Sequence, residues 1–375
     1  MSIITAPTRF ETVGSFLRPE ELKKARSEFE NGKITKSELT AIEDKCIRSL
    51  VEKQKKAGLK IITDGEFRRA TWHLDFMWGF NGVEHKRTMT GVKFNDEPAM
   101  IDDTYLVGKI SVDEHPFVEY FRFVKALEDE KTVAKQTIPA PAQFLQQMII
   151  PANYESTKAI YPDIDELIND IAAGYRKVIK DLYNAGCHSV QLDDCTWGAI
   201  VGDVSSERYG ALGKYGLESI KEMFLKVNNL AIEGKPDDLV INTHVCRGNY
   251  HSTYFSSGAY DSVAEYLFKR ENVNAYYLEY DDERSGGFEP LKYVDGDKKV
   301  VLGLITTKSA KLENKQDIID RIKEASKYVP LDRLYLSPQC GFASCEIGNK
   351  LTEDEQWAKL ELVREIAEEV WDDAE

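Results

Sequence analysis

Short apolar or β-branched runs recur along the chain, each followed by a longer segment whose apolar residues fall on one helical face. Eight runs stand out: Phe10–Ser15, Leu59–Asp64, Thr132–Pro139, His188–Asp194, Leu239–Val245, Ala275–Tyr280, Val300–Thr307 and Arg333–Pro338. Several, such as Leu239–Val245 and Val300–Thr307, are almost continuously apolar and end in polar residues. Runs of that kind suit parallel strands covered on both faces. Helical periodicity covers Ser37–Lys56, Asp163–Asn184, Leu217–Glu233, Asp317–Tyr328 and Glu353–Val370. The repeated βα rhythm predicts an α/β fold, a (β/α)8 TIM barrel, with a doubly wound open sheet as the alternative.

One stretch breaks the rhythm. Over Gly82–Val112, short alternating segments flank Asn95–Pro98, which predicts a β-hairpin inserted after the second strand. Insertions there lie on the chemical face of a barrel, so this one either shapes the pocket or decorates the rim. No Pro/Gly/Ser tract or charge block divides the chain, and residues 1–375 are expected to form a single catalytic barrel.

Composition narrows the function class. At 375 residues and 42% hydrophobic content, the chain can bury a large core. A net charge of −15 weighs against a nucleic-acid surface and reads as a solvated acidic exterior. No apolar run approaches the ~18 residues of a membrane span. The start, Met1–Phe10, lacks a secretory pattern. Six dispersed cysteines fit free thiols in a reducing cytoplasm.

Polar residues gather where the strands end, and in a barrel those ends converge on one rim. Strand one ends at Thr12–Ser15, strand two at Asp64–Phe67, and strand four at Asp193 and Asp194. Strand five ends at His244 and Cys246, strand six at Glu279, strand seven at Lys308, and strand eight at Cys340 and Gly341. His244 and Cys246 are two apart, so an extended backbone points both side chains the same way. Cys340 and Glu279 from neighbouring strands would complete a four-ligand N/S/O site of the kind zinc takes. The competing reading of such cysteines is plain burial as small hydrophobes. Cys46 and Cys187 read as core packing, whereas Cys195 and Cys345 are placed to line a pocket. His73, His85, His115 and His188 read as surface or structural, and His251 as a possible neighbour of substrate.

At these motifs the chain resembles the cobalamin-independent methionine synthase family, specifically its C-terminal catalytic barrel. The matching segments run in order: Thr12–Phe16, Asp64–Arg69, Val190–Asp194, His244–Asn249, Leu278–Glu279 and Ser337–Gly341. The resemblance implies a zinc-dependent methyltransferase that activates homocysteine and forms methionine, with zinc on His244, Cys246, Glu279 and Cys340. It also implies that Val13 and Ser15 hold the homocysteine carboxylate, while Glu66 and Asp193 hold its ammonium. Two carboxylates facing an ammonium form charge-assisted hydrogen bonds, so the physics agrees. The alternative for Glu66 and Asp193 is ordinary ion pairing with Arg68 or Arg69.

Three departures from the family pattern bear on the methyl donor. The chain carries one barrel where the long enzymes carry two. Lys308 stands where those enzymes place a histidine, which makes it a proton donor, a charged clamp, or a surface lysine paired with Glu313. The loop Pro139–Pro151 lacks a tryptophan to stack on a pterin. A methyl-folate and a methyl-corrinoid are therefore both donor candidates. The other functions in play are an alkyltransferase or lyase acting on another small thiol, and a non-catalytic thiol- or zinc-binding relative.

Overall fold

A computed structural model describes residues 4–88, 92–94, 97–99, 101–201 and 216–374. Its strands are β1 (Ile61–Ile62), β2 (Asn81–Lys86), β3 (Val92–Phe94), β4 (Glu97–Ala99), β5 (Asp103–Ser111), β6 (Val133–Ala134), β7 (Gln136–Pro139), β8 (Ser189–Asp194), β9 (Val240–Val245), β10 (Ala275–Glu279), β11 (Lys299–Ile305) and β12 (Leu334–Pro338). Six form one all-parallel sheet in the order β12-β11-β10-β9-β8-β7. β1 pairs in parallel with β6, and Phe10 bridges Leu336 of β12.

The first two runs pair less than their composition suggests, because side chains take up their backbone groups. Lys135 Nζ, Gln191 Nε2 and Thr63 Oγ1 donate to the carbonyls of Thr12, Val13 and Gly14 at 3.1, 2.7 and 2.7 Å. Likewise Gln54, from the helix Lys36–Lys56, donates to the Thr63 carbonyl and accepts from its N–H at 2.8 and 3.0 Å. Those groups are satisfied without a neighbouring strand, which shortens the ladder there.

Helices cover one face of the sheet. Their starts follow from capping chemistry: Thr35 with Glu38, and Thr352 with Glu355, form reciprocal capping boxes. Asn314 caps Lys315–Ala325, so this helix starts two residues earlier than its periodicity suggests. Its far end falls at Ala325, short of Tyr328, as the chain approaches Pro330. A further helix, Glu20–Glu30, has only Leu22, Ala25 and Arg26 buried, too few apolar positions to announce it in the sequence.

Within Gly82–Val112, β2 pairs antiparallel with β5, and β3 with β4. Among the described residues, no helix is long and apolar enough to cross a membrane.

Candidate active site

Strand alternation sorts the side chains. Val190, Leu192, Tyr276, Leu278, Leu334 and Leu336 join the large apolar core. Their neighbours Gln191, Asp193, Tyr277 and Glu279 point to the opposite face and are buried there. That inner face is largely polar. Lys135, between β6 and β7, donates to Glu11 Oε1 at 2.7 Å and to Gln191 Oε1 at 2.9 Å. Gln191 Nε2 then donates to Asp193 Oδ1 at 2.7 Å, and Tyr277 donates to Glu11 Oε2 at 2.6 Å. An ammonium cannot accept a hydrogen bond, so Lys135 fixes the amide of Gln191 with its NH2 end towards Asp193.

His244, Cys246 and Cys340 meet at one end of this face. One ligand atom from each lies within 4.8 Å of the others, and the two sulfurs are 3.7 Å apart. His244 Nδ1 is 3.2 Å from the carbonyl oxygen of Tyr277. A carbonyl only accepts, so Nδ1 carries the proton and Nε2 keeps its lone pair. Nε2 is buried and has no hydrogen-bond partner among the described residues. An imidazole whose tautomer is fixed by a carbonyl, beside two thiols, fits a zinc ion. Glu279 lies alongside: Oε1 is 3.9 Å from Cys246 Sγ, and Oε2 accepts from the Arg247 N–H at 3.1 Å. Burial pushes the Glu279 carboxyl up to about 7, with Lys308 opposing it. Neighbouring thiols and burial raise Cys246 and Cys340 well above the usual thiol range, a preference that a divalent cation reverses.

A cavity of about 210 Å³ joins this cluster to Val13, Ser15, Glu66 and Asp193. Glu66 reaches it from an uncommon backbone, with φ of 63° next to Gly65 at 66°. A non-glycine residue there costs about 1–3 kcal/mol. The Asp64 carboxylate offsets part of that by accepting from the Glu66 N–H at 2.8 Å. Glu66 Oε1 accepts from Thr137 Oγ1 at 3.1 Å and lies 3.3 Å from Arg69, whereas Oε2 has no hydrogen-bond partner among the described residues. Burial raises the pKa of both Glu66 and Asp193, and the Asp193 charge adds to the effect on Glu66. Arg69 is therefore a partial counter-ion to Glu66, while Arg68 turns away to Glu43 and Asp44. Asp194, on the other side of the strand, is held by Thr196 and Asn228. Gly341 lets the Cys340 loop approach, since a Cβ there would sit 1.9 Å from Ser15 Oγ.

Several residues fall elsewhere than the sequence suggests. Lys308 is not among the described lining residues: its ammonium is 2.6 Å from Asp281 Oδ2, which is 1% exposed. Glu313 is taken by Lys359 at 2.9 Å, so the surface pairing with Lys308 does not form. His251 also lies outside the described lining. Cys195 and Cys345 line the cavity, and Cys46 and Cys187 are buried. Of the surface and structural readings of His73, the surface one fails: it is buried, lines the cavity and stacks on Trp72 at 4.5 Å between ring centroids. Burial alone lowers its imidazole to about 3, so it is neutral. The available signal was position, since both residues follow Asp64–Arg69 by only a few places.

Fold and site together define a parallel α/β protein with a metal-competent His-Cys-Cys cluster beside a pair of buried carboxylates. Residues 7–369 match the family described as cobalamin-independent synthase, catalytic domain. The chain belongs to that family, the cobalamin-independent methionine synthases, which are methyltransferases. Two uncharacterized Bacillus subtilis proteins, YxjH and YxjG, are 43% and 42% identical to it, covering 98% and 97% of this chain and 95% of each of theirs. A structure from Listeria monocytogenes, described as a putative vitamin-B12 independent methionine synthase, is 39% identical with a TM-score of 0.78, covering 98% of this chain and 99% of that one. A B12-independent methionine synthase structure from Shewanella sp. W3-18-1, solved with selenomethionine, shares the fold at 22% identity and a TM-score of 0.71, covering 97% of this chain and 98% of that one.

Proposed function

We propose that the chain is a zinc-dependent S-methyltransferase that converts homocysteine to methionine. One observation carries this reading: a lone-pair imidazole nitrogen and two thiols open on the same cavity as two buried, incompletely compensated carboxylates. His244, Cys246 and Cys340 would hold the metal, with Glu279 as the fourth and most replaceable ligand. Zinc held there lowers the pKa of a substrate thiol, so that a thiolate is available near neutral pH. Glu66 and Asp193 bind the homocysteine ammonium, and Ser15 with the Val13 backbone receives its carboxylate. Together they orient the sulfur towards the donor methyl. Lys308 serves as a fixed positive charge near Glu279, held in place by Asp281. We read the fold as one eight-stranded barrel domain with β2–β5 as an insertion. Glu11 contacts both Lys135 and Tyr277, and Phe10 extends the β12 edge, as closure requires.

The test pairs metal analysis with product formation. Purified protein should hold about one zinc per chain. Homocysteine should yield methionine with one of methyltetrahydrofolate, methylcobalamin or another methyl donor. His244→Ala and Cys340→Ser should each lose zinc while circular dichroism is unchanged. Full zinc occupancy in both variants would sink the metal assignment.

A further inference from the structure

Three segments carry Ser15, Glu66 and Cys340 to the cavity: residues 12–18, residues 64–72 and residues 340–346. Backbone bonds join them in pairs. The Phe16 N–H donates to the Gly65 carbonyl at 3.2 Å, that of Phe342 to Ser15 at 3.0 Å, and that of Trp72 to Ser344 at 2.9 Å. Thr71 and Cys345 add an antiparallel bridge. Each of these contacts ties only two segments, and none of them reaches the Glu66 carbonyl.

Arg18 does both. It is 3% exposed, and its Nη1 donates to the carbonyls of Phe16 and Ala343 at 3.0 and 2.6 Å. Its Nη2 donates to those of Glu66 and Arg69 at 2.8 and 3.3 Å. The four Nη hydrogens thus meet four main-chain oxygens drawn from all three segments. A guanidinium offers these donors in one rigid plane, whereas a lysine ammonium has three on a flexible stem. Burial lowers the Arg18 pKa to about 10, which still leaves it charged at neutral pH.

The Glu66 carbonyl is the most sensitive of the four, because that residue holds a φ of 63°. A non-glycine residue stays there only where its surroundings over-determine it. Released from Arg18, the Glu66 peptide can relax towards the common backbone regions, which swings its carboxylate away from the cavity. The same release loosens residues 340–346, whose Gly341 packs against Ser15.

We infer that Arg18 is a positioning residue for the amino-acid substrate: it fixes Ser15, Glu66 and the Cys340 loop relative to one another. This role rests on the homocysteine reading above and deepens it. A substrate whose sulfur lies at the ligand cluster meets the carboxylate and ammonium subsites together only if those three segments keep their spacing.

Titration calorimetry tests this on zinc-loaded wild type, Arg18→Lys and Arg18→Met. The probes are homocysteine and 3-mercapto-1-propanol, a thiol without either charged group. The homocysteine Kd should rise roughly 10- to 100-fold in both variants, the scale of a misplacement of about 1 Å. The plain thiol should bind all three proteins alike, and their zinc content should match. Wild-type homocysteine affinity in either folded variant overturns the positioning role and leaves the methyltransferase reading standing. Equal losses for both thiols do the same, since they place the effect at the metal or the fold. An Arg18→Lys protein that fails to fold assigns the residue to stability and also overturns the role. Wild-type protein that binds homocysteine no better than the plain thiol overturns the amino-acid reading of the cavity, and the inference with it.

Discussion

Replacing Asp193 with asparagine separates substrate recognition from folding. In the structure, Asp193 Oδ1 accepts from Gln191 Nε2 at 2.7 Å, and Lys135 prevents that amide from turning over. The asparagine must therefore present its oxygen to Gln191 and its NH2 to the cavity, where the substrate ammonium is also only a donor. Removing one partner of a buried charge pair costs about 2–5 kcal/mol. Glu66 remains as a second carboxylate, so the lower part of that range applies: roughly 30- to 150-fold in the homocysteine Kd. Folding should respond in the opposite sense. Burial raises the Asp193 pKa, so its protonated form is the one the fold favours. The associated stability is fully present below the unfolded pKa of about 4 and is lost as pH rises through the folded value towards neutrality. At pH 7.5 the ligand-free variant should therefore be at least as stable as the wild type. Titration calorimetry with homocysteine and with 4-mercaptobutyrate, which lacks the amino group, is the assay, alongside thermal melts. In the wild type, homocysteine affinity should climb between pH 5.5 and 7.5 as the carboxylates ionise, and the variant should flatten that slope. Equal losses for both thiols, or a variant that melts earlier at pH 7.5, would refute the reasoning.

Other perturbations give equally definite outcomes. X-ray absorption of the zinc-loaded protein should show sulfur ligation rising from about two to three on adding homocysteine, because a carboxylate such as Glu279 yields to a thiolate; an unchanged count speaks against thiol activation. Lys308→Met leaves Asp281 buried, with Arg284 3.6 Å away and the Thr306 side chain as remaining partners. Breaking such a pair costs up to about 3–5 kcal/mol, so denaturant melts should show clear destabilisation, and adding Asp281→Asn should recover much of it. Gly341→Ala pushes a methyl into Ser15 and should raise the homocysteine KM while zinc is retained, as metal analysis would reveal.

Much of this architecture is legible in the residues. The central runs from His188 to Pro338 correspond to β8–β12 within one or two residues at each end, because strands covered on both faces leave continuous apolar stretches. The metal-competent cluster is legible for a related reason. His244 and Cys246 keep the two-residue period, and strand ends gather in parallel folds. The first two runs were harder: Phe10–Ser15 reads as a strand, but its carbonyls bond to Lys135, Gln191 and Thr63 side chains from elsewhere in the chain. Lys308 shows the same limit, since its partner Asp281 is 27 residues away and no local spacing marks it. Trp72 and His73 sit in a turn without periodicity, and a histidine made neutral by burial looks in sequence like any other.

The fixed amide of Gln191 also constrains how the sequence can drift. Lys135→Met alone leaves the Gln191 amide oxygen and the buried Glu11 carboxylate without the ammonium that both accept from. Gln191→Glu alone satisfies Lys135 but sets a second negative charge beside Asp193. Each step harms the site by a different route, although neither residue lines the described cavity. Positions 135 and 191 are therefore expected to show strong epistasis: the cost of a change at one depends on which residue occupies the other. A library randomised at both positions and selected for methionine synthesis should return correlated pairs, with Lys135 surviving wherever Gln191 does.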